Sequence, residues 1–175
     1  MENQANSKNI ILNNGLYFGV ILILASLIPY GMGMHFEPTA GYFNFAAIVL
    51  VIILFPILGM NKFKNLNNGF MTWGQGVKIG LGIVLIGSVI SIIYQYFFTT
   101  FIEPEFYNQL AEVTRNSLLD AGLTEDQIEM QMNMQSKFQG TPMGYAVGIL
   151  FMAFIGFVSS AIIAAVKKKS EFETY

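Results

Sequence analysis

The sequence predicts an all-α integral membrane protein, a four-helix bundle with an extracytoplasmic helical hairpin between its third and fourth spans. Three observations carry that reading. Of 175 residues only 11% are charged, less than half of the roughly 25% usual in a soluble domain. No charge falls between Lys8 and Glu37, Glu37 and Lys62, Lys78 and Glu103, or Lys137 and Lys167, windows of 28, 24, 24 and 29 residues. Each window holds one apolar segment near the roughly 20 residues that a helix needs to cross the hydrocarbon. A soluble domain would have to bury all four in one small core, whereas a bilayer solvates them, and there a helix satisfies its own backbone.

The first span is placed at Leu16 to Met34. It is too long for a signal-peptide core of about 7–15 residues, and no A-x-A pattern follows it, so it reads as a retained span. The second runs from Gly41 to Met60, the third from Ile79 to Phe101, and the fourth from Tyr145 to Val166, all in a single membrane domain over residues 1–175. Pro29 and Pro56 lie late in the first two spans, where each removes a backbone donor and kinks or ends its helix. Gly31 and Gly33 loosen the exit of the first.

Orientation follows the basic residues, which concentrate in short cytoplasmic segments. Lys8, then Lys62, Lys64 and Lys78, then Lys167, Lys168 and Lys169 fall on one side; only Arg115 and Lys137 fall on the other. Both termini are therefore expected in the cytoplasm. The three terminal lysines attract anionic lipid headgroups at about 1 kcal/mol per charge, and Trp73 and Lys78 suit the membrane interface.

Residues 103–141 form the one insert large enough to fold outside the membrane, with seven acids against Arg115 and Lys137. Pro104 suits the first turn of a helix, Phe106, Leu110, Val113 and Ser117 recur at helical spacing, and Gly122 reads as its stop. Thr124 with Gln127 is a capping-box pattern that opens a second helix, whose positive end Glu125 and Asp126 complement.

Composition excludes several chemistries. Without Cys there are no disulfides, thiolate nucleophiles or Cys-based metal sites. His35 is the one histidine, and its neighbour Glu37 offers an acid-base pair with no nucleophile or metal cluster beside it. Catalysis and cofactors are not expected. A net charge of -2 gives no basic face for nucleic acid. Met130, Met132 and Met134 could offer thioethers to Cu(I), but on a helix Met132 points away from the other two, so hydrophobic core filling is the expected role.

Small residues recur at intervals of four: Gly15 and Gly19, Gly76 and Gly80, Gly144 and Gly148, then Gly156, Ser160 and Ala164. That spacing lets helix backbones approach closely. It would serve a homodimer or another membrane-protein partner; its recurrence on several spans favours packing within one bundle. Ionisable groups, which mark ion paths, are absent from the middle of every span. Ser88, Ser91 and Gln95 remain as a candidate polar path, against the plainer reading that the serines bond to their own backbone.

The segment Asn68-Gly69-Phe70-Met71-Thr72-Trp73-Gly74-Gln75-Gly76-Val77-Lys78-Ile79-Gly80, together with Phe101-Ile102-Glu103-Pro104-Glu105-Phe106 and Glu125-Asp126-Gln127-Ile128-Glu129-Met130, resembles the bacterial membrane proteins grouped as domain of unknown function 4199. The resemblance implies a small four-span protein of Gram-negative bacteria, located in the inner membrane, and assigns no reaction. Gly69, Phe70, Thr72, Trp73, Gly74, Gln75, Gly76 and Lys78 are its signature positions here. Gly74-Gln75-Gly76 is too flexible for an optimal first turn, which leaves a re-entrant bend, a docking site or the start of span three open. The expected role is a non-enzymatic accessory or assembly subunit; the alternative is a small transporter or lipid-carrier flippase linked to envelope glycosyl transfer.

Overall fold

The computed structural model describes residues 6–169, and the two chain termini lie outside them. Four helices are long and apolar enough to cross a membrane: α1 (Ser7–Gly31), α2 (Pro38–Leu66), α3 (Trp73–Phe97), which a π-helical turn extends over Phe98–Ile102, and α6 (Pro142–Lys167). Between α3 and α6 lie α4 (Phe106–Asp120) and α5 (Glu125–Ser136), packed on each other as a helical hairpin.

Each long helix starts before the apolar segment that announced it, and α1 ends at Gly31, short of the expected Met34. Hydropathy marks the hydrocarbon crossing, whereas caps mark where a helix ends. At the start of α1, Asn6 Oδ1 accepts from the N–H groups of Lys8 (3.1 Å) and Asn9 (3.4 Å), so the helix begins at Ser7 rather than Leu16. α2 continues past Pro56 and stops only at Leu66. Pro29, in contrast, falls in the last turn of α1, consistent with an ending. Pro104 does not open α4 as expected. The Glu103 N–H closes the π turn on Phe98 O at 2.9 Å, and α4 starts two residues beyond Pro104, at Phe106.

α3 is the hub, packing against α1, α2 and α6. The buried core, including Ile10, Phe18, Phe55, Met60, Ile79 and Ile83, gathers toward the end of the helices that carries most of the lysines. This is called the lysine end below, and the opposite end the hairpin end. Leu24, Leu50, Leu150 and Phe154 point away from the core and are exposed, the pattern of helices whose outer faces lie in lipid.

Between α2 and α3 the chain turns through Asn68 and Gly69, both at positive φ (52° and 84°). The buried Met71 then pairs with Lys169 in a two-bond antiparallel bridge of 2.9 and 3.0 Å. Lys64 Nζ donates to Lys167 O (2.9 Å) and Lys167 Nζ to Asn61 Oδ1 (2.7 Å), so the end of α6 is tied to α2 as well.

Candidate functional site: a polar cavity at the hairpin end

Close helix approach creates the frame. A methyl group placed on Gly15 would come within 2.7 Å of Ile86 on α3, and one on Gly19 within 2.8 Å of Ile90. On the other side of α3, Gly76 faces Ala164 (2.7 Å), Gly80 faces Ser160, and Gly156 faces Val84 (2.8 Å). These steps of four advance along α3 while they retreat along α6, an antiparallel interlock. Gly15, Gly19, Gly76, Gly80, Gly156 and Ser160 are therefore occupied within this chain. Gly144 instead lies against the Phe138 carbonyl in the preceding turn, and Gly148 faces open space.

At the lysine end the signature segment enters the helix at Trp73, so Gly74-Gln75-Gly76 is helical and not a re-entrant bend. Thr72 Oγ1 accepts from Gln75 N (3.3 Å), and Gln75 Oε1 accepts from Thr72 N (2.8 Å), a reciprocal capping box. Gly74-Gln75-Gly76 is thus the first turn of α3; the cap satisfies the orphan donors, and Gly76 lets Ala164 approach. Trp73 Nε1 donates to Ala161 O (3.1 Å), while Lys78 is exposed.

Toward the hairpin end the apolar core gives way to a cavity among α1, α2 and α3. Two lobes, of about 180 and 110 Å³, share Ser26, Asn44, Tyr94 and Gln95. Ser91 lines the deeper lobe; Tyr30, His35, Phe98 and Phe106 line the one nearer the hairpin. Above it His35 Nε2 lies 3.2 Å from Glu103 Oε1, so histidine is paired with the acid after the π turn and not with its sequence neighbour Glu37, which stands at the N-cap position of α2 without a side-chain capping bond. Tyr30, Phe36 and Phe106 surround the imidazole at ring-centroid distances of 5.0, 4.2 and 6.5 Å. Asn44 Oδ1, Ser91 Oγ, His35 Nδ1 and Glu103 Oε2 are buried without a hydrogen-bond partner. Buried polar atoms are nearly always paired, so four such atoms at one end mark a place prepared for something polar.

Of the three residues expected to form a polar path, Ser91 and Gln95 line this cavity. Ser88 does not: it is buried and donates to Val84 O at 2.7 Å. Asn44 and Tyr30 were missed by the sequence reading. Asn44 had a signal, as the one amide side chain between Gly41 and Met60. Among the described residues no three His, Asp or Glu side chains converge as metal ligands would.

The hairpin meets this site at its base. Phe106 stacks into the aromatic group around His35, and Tyr107 sits beside Tyr145, Thr99 and Gln95. Burial pushes the Tyr107 phenol up to about 12, Tyr145 adds to the rise, and Thr99 and Gln95 partly oppose it. Gly140 closes over the ring with a positive φ of 67°. Farther out, Leu123 N bonds to Leu118 O (3.2 Å) and Gly122 N to Leu119 O (2.9 Å), which terminates α4 at Gly122 as its sequence suggests. Gln127 Oε1 accepts from Thr124 N (3.0 Å), and Arg115 pairs with Glu125 at 2.6 Å. The fully buried residue of α5 is Ile128. Met132 shares its face, while Met130 and Met134 lie opposite and are 66% and 60% exposed. Met130 and Met134 therefore do not fill a core, whereas Met132 is half-buried on the Ile128 face.

Three long apolar helices gathered on a fourth, α3, with a polar cavity at one end, define a multi-pass membrane protein. Residues 13–169 match the family described as protein of unknown function, DUF4199; the chain belongs to that family, whose activity is uncharacterised. No curated protein and no solved structure matches it.

Proposed function

We propose that the chain is a non-enzymatic accessory or assembly subunit of the bacterial inner membrane, its lysine end in the cytoplasm and its α4–α5 hairpin in the periplasm. Seven basic residues against two support the orientation. The observation that carries the role is the hairpin itself. Its base is anchored by Phe106 and Tyr107, its interior is closed by Ile128, and its other face presents Met130 and Met134 to the surroundings on an acidic module. Exposed methionines adapt to a partner surface at little cost in fit. Gentle extraction of the tagged protein followed by native mass spectrometry tests the role. A stoichiometric second chain is expected; a bare monomer or self-dimer overturns it.

A second reading, a small transporter or lipid-carrier flippase, is favoured by the placement of Ser91 and Gln95 on the cavity. It requires Ser91→Val or Gln95→Leu to abolish complementation of a deletion strain while the protein remains inserted. Full complementation by both variants removes this reading.

A further inference from the structure

We infer that the cavity at the hairpin end binds an ammonium group, supplied either by the headgroup of an amine phospholipid or by a small free amine. The unpartnered atoms decide the sign of the ligand. Asn44 Oδ1, which lines both lobes, accepts hydrogen bonds and cannot donate them, and Glu103 Oε2 lies buried behind His35, outside the lining. In neutral His35 the proton sits on Nε2, because that nitrogen faces the carboxylate at 3.2 Å; Nδ1 is left with a lone pair. Ser91 Oγ accepts or donates. The buried atoms left without a partner at this end are thus mostly acceptors, and a protonated amine brings only donors.

The walls point the same way. Tyr30, Tyr94, Phe98 and Phe106 line the lobe nearer the hairpin, and aromatic faces attract cations in desolvated surroundings. Among the described residues neither lobe is lined by Lys or Arg, so a phosphate or carboxylate would find no countercharge from them there, while Glu103 stands just behind His35. Asn44 belongs to both lobes and is the natural central acceptor. The lobes, about 180 and 110 Å³, suit an ammonium group on a short carbon arm, with a lipid's phosphate left outside them, and the apolar core lies toward the lysine end. This inference stands apart from the accessory role and survives its failure.

The test uses the full-length protein in mixed micelles with equal phosphatidylethanolamine and phosphatidylglycerol, with retained lipid read by native mass spectrometry. A parallel arm measures the thermal midpoint of lipid-free protein with and without ethanolamine. The variants are Glu103→Gln, which keeps the shape and removes the charge, and Asn44→Leu; circular dichroism identifies either one that fails to fold, and the other is then read. Preferential retention of phosphatidylethanolamine that falls about tenfold in the variants, the loss expected for one charge-assisted hydrogen bond, supports the lipid source. Stabilisation by ethanolamine without a lipid preference, lost in the variants, supports a free amine. Absence of both effects, or persistence of either in the folded variants, overturns the inference.

Discussion

Ser160 on α6 sits directly against Gly80 on α3, with no room for a methyl group between them. The neighbouring steps, Gly76 with Ala164 and Val84 with Gly156, repeat the fit on either side. Where lipid supplies no hydrophobic force between helices, such close van der Waals contact holds them together. Gly80→Leu and Gly156→Leu are each expected to lower stability by about 1–3 kcal/mol, the usual range for overpacking. Gly148→Ala, which meets open space, is expected to be neutral or to stabilise by up to about 1 kcal/mol. Unfolding in mixed detergent and dodecyl sulfate measures all three, and equal losses at Gly80 and Gly148 would contradict the interlock.

The capping box at the lysine end gives a second prediction. Thr72→Ala removes an acceptor from the first turn of α3 and is expected to cost about 1 kcal/mol. Thr72→Ser should retain most of the native stability, because it keeps the hydroxyl. Comparable losses in the two variants would mean that the threonine methyl, not the cap, matters.

The proposed orientation is open to a direct chemical check, since the chain has no native Cys. Ser117→Cys, exposed on α4, should react with a membrane-impermeant maleimide in spheroplasts, while Ser7→Cys at the start of α1 should react only after lysis. The reverse pattern would invert the assignment of both ends.

Tyr107 predicts an alkaline response. Burial pushes its folded phenol up to about 12, above the ordinary value near 10. A raised value means that the folded state holds the proton more tightly. The contribution is fully present below about pH 10 and is lost as pH rises through about 12. Subtracting the ultraviolet titration of Tyr107→Phe from that of the parent should isolate one late phenol, and Tyr145→Phe should move it down. A Tyr107 transition near 10 in the parent would contradict the packing at the hairpin base.

Much of this architecture is legible in the sequence. Charge-free windows locate the four crossings because burying a charge in hydrocarbon is costly, and Thr124, Gln127 and Gly122 mark the hairpin helices because their chemistry is local. The cavity is less legible. His35 and Glu103 lie far apart in sequence, so nothing local pairs them, and the nearer Glu37 draws attention to the wrong acid. Asn44 looks like an isolated polar residue until α1 and α3 are placed beside it. Pro104 does not start α4 because the π turn that extends α3 closes on Glu103 immediately before it, and the helix begins only at Phe106.

The central claim is that the hairpin is a contact surface for another protein, and the most direct measurement is photocrosslinking from within it in native membranes. A photoreactive amino acid at Met134, 60% exposed, is compared with one at Ile128, which is fully buried. The account predicts a single prominent adduct with a foreign chain from position 134 and none from 128. Adducts with lipid alone, or with a second copy of this chain alone, would contradict it.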